Sequence, residues 1–301
     1  MVERVTTLPQ LPPRDEESHK GTFGRVLVVA GSRGMAGAAA LCGLGALRGG
    51  AGLVTVACPA EVGPVVTAVE PGLMTFPWPD RDGYLILPYS AEDGGTGEEA
   101  AFLLDEGPDG QWENVAAVGC GLGQDFRSTA VVERFWRDWP VPVVVDASGL
   151  FHLSRLGEWS KRVDHPRVLT PHPGEFARLL GGGVSAADVQ ADRVGLAVSF
   201  AAKFGVVLLL KGHRTLVTDG DRLYENATGN PGMATGGSGD VLTGLIAALI
   251  AQGLDAFDAA CLAAHLHGRA GDLAAADLSQ PGMIASDLPR YLGRAFLEHQ
   301  S

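Results

Sequence analysis

The sequence predicts an α/β protein with a mostly parallel central sheet and helices on both faces. Two observations carry that prediction. Short, almost continuously apolar runs recur at Val26–Ala30, Leu53–Ala57, Val115–Val118, Val141–Val145 and Val206–Leu210. A strand covered on one face alternates apolar and polar residues, whereas runs like these suit parallel strands buried on both faces and joined by crossovers. The segments between them have helical patterns: Ala38–Arg48 is rich in Ala and Leu, Ser128–Trp139 is amphipathic, and Ala186–Lys203 carries periodic apolar positions.

No internal repeat and no long linker divides the 301 residues, so a single domain spanning 1–301 is expected. One stretch breaks the rhythm. Asp80–Glu113 clusters Gly, Asp and Glu, with Gly94–Gly95 and Pro108–Gly110 as turn signals. It reads as an acidic surface insertion with one short helix around Glu98–Leu104, and a solvated excursion is favoured over a functional loop.

Composition narrows the function classes. With 46% hydrophobic and 19% charged residues, the chain has ample material for a large core. A net charge of -12 argues against nucleic acid as a partner, because a phosphate backbone attracts basic surfaces. It leaves room for a nucleotide held by local backbone N–H groups. Cys42, Cys58, Cys120 and Cys261 form no CxxC pair and sit in apolar or small-residue stretches. Buried free thiols in a reducing cytoplasm are therefore expected over disulfides or metal ligands. Met1–Lys20 has no apolar core of a signal peptide, and Val241–Leu254 is too short to span a bilayer, so neither secretion nor a membrane is expected.

Five segments carry candidate chemistry. The first, Ser18–Ala40, reads as strand, Gly-rich turn and small-residue helix. Gly31, Gly34 and Gly37 give GxxGxxG rather than the dinucleotide fingerprint GxGxxG, but Ala36–Ala39 leave space for a flat ligand at the helix start. Gly119–Gly123 is a second strand-end glycine turn. In Val168–Phe176, Pro171 and Pro173 bracket His172 and stiffen its backbone, which puts a binding role level with a merely structural one. In Leu208–Gly220, Lys211 ends a buried strand and Gly212 opens a turn before a short strand from Thr215. Strand ends of this kind bind ligands in α/β sheets, although an ordinary hairpin with a solvated Lys explains the segment taken alone.

The fifth segment, Asn226–Leu245, is the most informative. Gly236, Gly237 and Gly239 surround Ser238 just before an apolar helix at Val241–Ala251. Unpaired N–H groups and the helix dipole make such a turn an anion site. Asp240 follows at once. An acid there is often only a helix N-terminal residue, but a carboxylate beside a phosphate cradle costs repulsion. Accepting the proton of a hydroxyl that attacks phosphorus gives that cost a purpose.

Together these segments resemble the NAD(P)H-hydrate dehydratase family of the ribokinase-like superfamily, in the form without an epimerase domain. GGSGDVLTG, within Asn230–Gly244, is shared with ribokinase-like kinases at large, while SHKGTFG, the GS…GA turn and LTPHPGEF narrow the likeness to this family. The resemblance implies a ribokinase-like fold and a repair reaction in the cytoplasm. The S form of a nicotinamide dinucleotide hydrated at C6 is returned to NADH or NADPH, with ADP or ATP as phosphoryl donor and Mg²⁺ as cofactor. By matching motif positions, Ala38, Gly121, His172 and Asp240 contact the hydrate, and Asp240 is the catalytic residue. Lys211, Gly212, His213, Arg214 and Thr215, with Gly237, Ser238 and Gly239, hold the nucleotide.

The resemblance also implies a functional pairing with a separate NAD(P)H-hydrate epimerase. A homo-oligomer is expected on small-residue helices such as Ala259–Ala276, which burial within one chain explains equally well. The chain departs from the family pattern at Asp146–Leu150, where a second acid commonly follows the Ala, at Cys120, often Pro, and at Ser238, often Thr. The rival reading is a ribokinase-like kinase of a vitamin-precursor alcohol, which shares Asp240 and its turn but predicts neither LTPHPGEF nor SHKGTFG. A non-catalytic nucleotide sensor would tolerate loss of Asp240, and a hydride-transferring oxidoreductase lacks its fingerprint here.

Overall fold

A computed structural model describes residues 2–87, 114–157 and 163–300. Its centre is a ten-stranded sheet. Counting from one edge, the strands are β1 (Glu3–Val5), β12 (Arg222–Glu225), β11 (Leu216–Thr218), β10 (Val207–Leu210), β9 (Arg167–Leu169), β8 (Val143–Val145), β7 (Val115–Val118), β2 (Arg25–Val29), β3 (Leu53–Cys58) and β4 (Met74–Pro77). Only the β10–β11 and β11–β12 pairings are antiparallel. The five apolar runs all become strands, and each is covered on both faces. Val26 and Val28 of β2 join one core cluster while Leu27 and Val29 join the other. A charged edge strand, β1, pairs parallel to β12 and carries no such signal in its three residues.

One face is covered by α1 (Ala36–Arg48), α2 (Gly63–Val69), α8 (Ser238–Ala251), α9 (Ala256–Leu278) and α10 (Leu288–Gln300). Small residues let α1 and α8 meet backbone to backbone: a Cβ on Gly45 would strike the Val241 carbonyl, and one on Gly244 the Cys42 carbonyl. That close crossing fixes the start of α8 over the sheet. The small residues of α9, including Ala259, Ala260, Ala263, Ala270 and Ala274, are buried in the chain's own core, so they lend no support to an oligomer. No helix among the described residues is long and apolar enough to cross a membrane. All four cysteines are buried and unpaired.

The other face carries α3 (Ser128–Arg137), α4 (Ser148–Leu153), α5 (Pro173–Leu180), α6 (Ala186–Ala191) and α7 (Arg193–Phe204). The single helix expected over Ala186–Lys203 is in fact two. Asp192 leaves the helical region (φ -141°, ψ 63°) and its carboxylate accepts from the Gly195 N–H, capping α7. The insertion expected at Asp80–Glu113 begins as packed structure rather than as a solvated excursion. Its first residues form a hairpin of β5 (Asp80–Arg81) and β6 (Tyr84–Leu85). Leu85 is fully buried, and its carbonyl accepts from Ser128 Oγ at 3.1 Å. The helix expected near Glu98–Leu104 lies outside the described residues.

Because β2, β7, β8, β9 and β10 run parallel, their C-terminal ends share one edge of the sheet. Ala30–Gly31, Gly119–Gly121, Asp146, Thr170–His172 and Lys211 follow those ends directly. This is the edge where open α/β sheets bind ligands.

Candidate active site

At this edge the start of α8 meets the ends of β7, β8, β9 and β10. Gly237 caps α8 in the left-handed region (φ 100°), and Asp240 stands in the first helical turn. His267 of α9 is buried and its Nε2 lies 2.9 Å from the Ser238 carbonyl. A carbonyl only accepts, so that nitrogen carries the proton. Burial pushes this imidazole down to about 4, which keeps it neutral and fixed under the turn.

Asp146 organises the centre. It is 1% exposed at the end of β8, accepts from Lys211 Nζ on Oδ1 (2.7 Å) and accepts from Thr243 Oγ1 on Oδ2 (2.8 Å). The next residue, Ala147, sits at φ 50°, a strained conformation for a side chain, and turns the backbone sharply into α4. Gly119 makes room for this turn: a Cβ there would overlap the Asp146 carbonyl. Lys211 Nζ lies 3.7 Å from Glu175 Oε2 as well. Burial pulls its ammonium down, but Asp146 and Glu175 outweigh that and hold it above the usual range. A Cβ on Gly239 would stand 3.3 Å from this Nζ, so Lys211 faces the glycine turn.

Asp240 departs from the ordinary carboxylate range. Burial pushes its carboxyl up to about 6; Cys120 and Lys211 oppose the rise, and the charges of Asp146 and Glu175 add to it. Cys120 is buried at the end of β7, where a hydrogen bond with Cys42 and burial hold its thiol well above the ordinary range. Donor atoms of Cys120, Asp146 and Asp240 lie within 4.8 Å of one another. The two carboxylates fit a magnesium ion that draws its other ligands from phosphates and water. The protonated, soft thiol does not.

The remaining residues singled out from the sequence surround this centre. His172 caps α5: its Nδ1 accepts from the Gly174 and Glu175 N–H groups at 3.1 and 3.3 Å, and Glu175 accepts from the His172 N–H at 2.8 Å. This reciprocal capping box aims Glu175 at Lys211. Gly121 packs against the first turn of α1, where a Cβ would stand 2.8 Å from Ala38 Cβ. Gly212, His213, Arg214 and Thr215 form an exposed turn beyond Lys211. Thr215 Oγ1 donates to the Gly212 carbonyl at 3.0 Å, and the Arg214 side chain leaves the turn to meet Glu225 at 2.8 Å. Arg193 of α7 ties that turn to the end of β10, donating from Nη1 to the His213 carbonyl (2.6 Å) and from Nη2 to the Leu210 carbonyl (3.1 Å).

Sequence reasoning left out Glu175, Thr243, His267 and Arg193 and gave Asp146 no role. A signal existed for two of them. Asp146 is an acid ending a fully apolar strand, and Glu175 stands three residues after His172, the spacing of a capping box. The contacts of Thr243 and Arg193 join distant segments and follow only from the fold.

A family model described as NAD(P)H-hydrate dehydratase matches residues 26–294. The bifunctional NAD(P)H-hydrate repair enzyme Nnr of Moorella thermoacetica is 44% identical over 288 residues, which cover 94% of this chain and 51% of that protein. The chain spans about half the length of the bifunctional relatives it matches. The ADP-dependent (S)-NAD(P)H-hydrate dehydratase of Bacillus subtilis is 35% identical over 288 residues, 95% of this chain and 94% of that one. A crystal structure of ADP/ATP-dependent NAD(P)H-hydrate dehydratase from Bacillus subtilis, co-crystallised with ATP/Mg²⁺, has a TM-score of 0.79 at 33% identity. It covers 96% of this chain and 94% of that chain.

Proposed function

The chain belongs to the NAD(P)H-hydrate dehydratase family, and on that premise we propose that residues 1–301 act as one domain that dehydrates (6S)-hydrates of NADH and NADPH, with ADP or ATP as phosphoryl donor. The observation that carries the reading is a half-buried carboxyl near 6, Asp240, in the first turn of a glycine-capped helix and beside a lysine. A hydroxyl at C6 is a poor leaving group. Asp240 orients it and takes its proton as the oxygen attacks the terminal phosphorus of the nucleotide. Ala38, Gly121 and His172 line the hydrate side. The N–H groups of Gly237, Ser238 and Gly239 face the transferring group, where fixed donors stabilise charge that develops on its oxygens. Lys211, with Asp146 behind it, holds positive charge at the same point.

Once the C6 oxygen carries phosphate, the ring N1 lone pair expels it by breaking the C6–O bond, and loss of a C5 proton restores the dihydronicotinamide. Nucleotide leaves one phosphate shorter, and inorganic phosphate carries the former hydroxyl oxygen. Magnesium held by Asp146 would neutralise part of the phosphate charge and leave the Asp240 carboxylate free to take the proton. A separate epimerase is the fitting partner, since several relatives are bifunctional repair enzymes. A reducing cytoplasm suits four buried, unpaired thiols.

Incubating the protein with NADH hydrate, Mg²⁺ and either ADP or ATP, and following the absorbance of NADH, tests this. Nucleotide-dependent recovery is expected. A folded, nucleotide-binding protein that gives no recovery would belong instead with kinases of small alcohols.

Two further outcomes follow from the geometry. With Asp240 titrating near 6, kcat/KM for the hydrate should fall about tenfold per pH unit below that point, as the base becomes protonated. A flat acid limb across that range would remove Asp240 from the base role. Arg193→Met removes two charge-assisted hydrogen bonds that tie the Gly212–Thr215 turn to the end of β10, one to the His213 carbonyl and one to the Leu210 carbonyl. The KM for nucleotide should rise about tenfold while the KM for hydrate stays within about twofold, as expected for bonds that order one loop only.

A further inference from the structure

A cleft of about 410 Å³ opens between the β2–α1 turn and α2, within the volume range of small-molecule sites. Its lining touches the Gly121 turn. Ser32, on its floor, donates from Oγ to the Gly121 carbonyl at 2.8 Å, and the α1 turn that lines it also packs Ala38 against Gly121. A dinucleotide hydrate with its nicotinamide ring at Asp240 must place a whole adenylate outside that centre, and this cleft borders it at the Gly121 turn. We propose that this cleft binds the adenylate half of the substrate and reads its ribose as a free 2′-hydroxyl, so that the hydrate of NADH is preferred over that of NADPH. The inference rests on the dehydratase reading and extends it to a site and a specificity.

The walls suit an adenosine. Val62 and the half-exposed Val65 of the α2 segment give an apolar face. Opposite them, a Cβ on Gly34 or Gly37 would meet nothing within 4 Å, so a flat ring reaches the backbone. Among the described residues lining the cleft only two are charged, Arg33 and Glu61, and they are paired with each other: Nε to Oε1 at 3.1 Å and Nη2 to Oε2 at 3.4 Å. In dinucleotide sites a carboxylate accepts from a ribose hydroxyl, and an arginine accommodates a 2′-phosphate. Here the arginine is committed to the carboxylate, and Asp80 and Asp82 of the β5–β6 hairpin add negative potential beside it. Among the described lining residues, a 2′-phosphate would meet one cation, Arg33, and would have to displace Glu61 to pair with it. A 2′-hydroxyl donates to Glu61 and adds no charge.

The test compares the hydrates of NADH, NADPH and reduced nicotinamide mononucleotide, which lacks the adenylate. Wild type should favour NADH hydrate over NADPH hydrate. Gly37→Leu, a helical position with open space in front of it, should raise the KM for NADH hydrate about tenfold or more by filling the cleft, with the penalty confined to the dinucleotides. Val65→Trp closes the cleft from the opposite wall and should give the same split. Glu61→Gln releases Arg33 and should move the preference severalfold toward NADPH hydrate. If the two blocking variants shift mononucleotide and dinucleotide alike, or shift neither, the cleft is not the adenylate site. A preference that Glu61→Gln leaves unmoved removes the specificity claim. If wild type turns over none of the three hydrates, the dehydratase reading itself fails.

Discussion

Replacing Asp240 by Asn is expected to lower kcat/KM for the hydrate by about 10²–10⁴-fold, the range that a positioned general base contributes, and at the same time to raise the thermal midpoint at neutral pH. The two effects share one cause. The Asp240 carboxyl binds its proton near 6 in the folded protein and near ~3.9 in the unfolded chain. The folded state therefore holds more protons between those values, and stability falls as pH rises through that window. Above it, the ionised carboxylate costs on the order of 3 kcal/mol. Asparagine keeps the shape and drops the charge, so it restores that stability at pH 7.5 and gains nothing at pH 3.5, where both states are protonated. Nucleotide binding should persist. An inactive Asn variant whose midpoint falls at pH 7.5 would assign Asp240 a structural role instead.

Lys211→Met should be the most damaging change to stability among the site residues. Its ammonium stands 2.7 Å from Asp146 Oδ1 and 3.7 Å from Glu175 Oε2, and the Asp146 side chain is only 2% exposed. Taking the cation away leaves that carboxylate buried and paired only with the Thr243 hydroxyl, a loss of about 3 kcal/mol, at the lower end for a broken buried pair because Lys211 itself is partly exposed. Lys211 also pulls the Asp240 carboxyl down. Without it the base should titrate higher, and the acid limb of the pH–rate profile should move upward. Urea unfolding and a pH–rate profile read the two effects separately. An unchanged acid limb in a folded Lys211→Met protein would break the electrostatic link between Lys211 and Asp240.

The parallel sheet was legible because a strand buried on both faces has to be apolar throughout. Val143–Val145 and Val207–Leu210 show this directly, each feeding side chains alternately into both cores. The glycine turn before Asp240 was legible for a related reason: a helix start that receives an anion excludes side chains, so its signature is local. Asp146 was harder. Its chemistry depends on Lys211 and Thr243, 65 and 97 residues away, and local spacing carries no record of such pairings. The break at Asp192 was missed because apolar periodicity runs on across it, although an Asp three residues before a glycine N–H offers a cap. Glu3–Val5 joins the sheet through backbone pairing with β12, to which its side chains contribute no pattern.

The measurement that bears most directly on the central claim follows the C6 oxygen itself. NADH hydrate prepared in ¹⁸O-water carries the label in its C6 hydroxyl. Turned over with ADP in unlabelled water, it should deliver that label to inorganic phosphate, since the C6 oxygen becomes a phosphate ester before the C6–O bond breaks. Label recovered in water, with unlabelled phosphate released from ADP, would mean that the hydroxyl leaves without ever being phosphorylated, and the role assigned to Asp240 would fall with it.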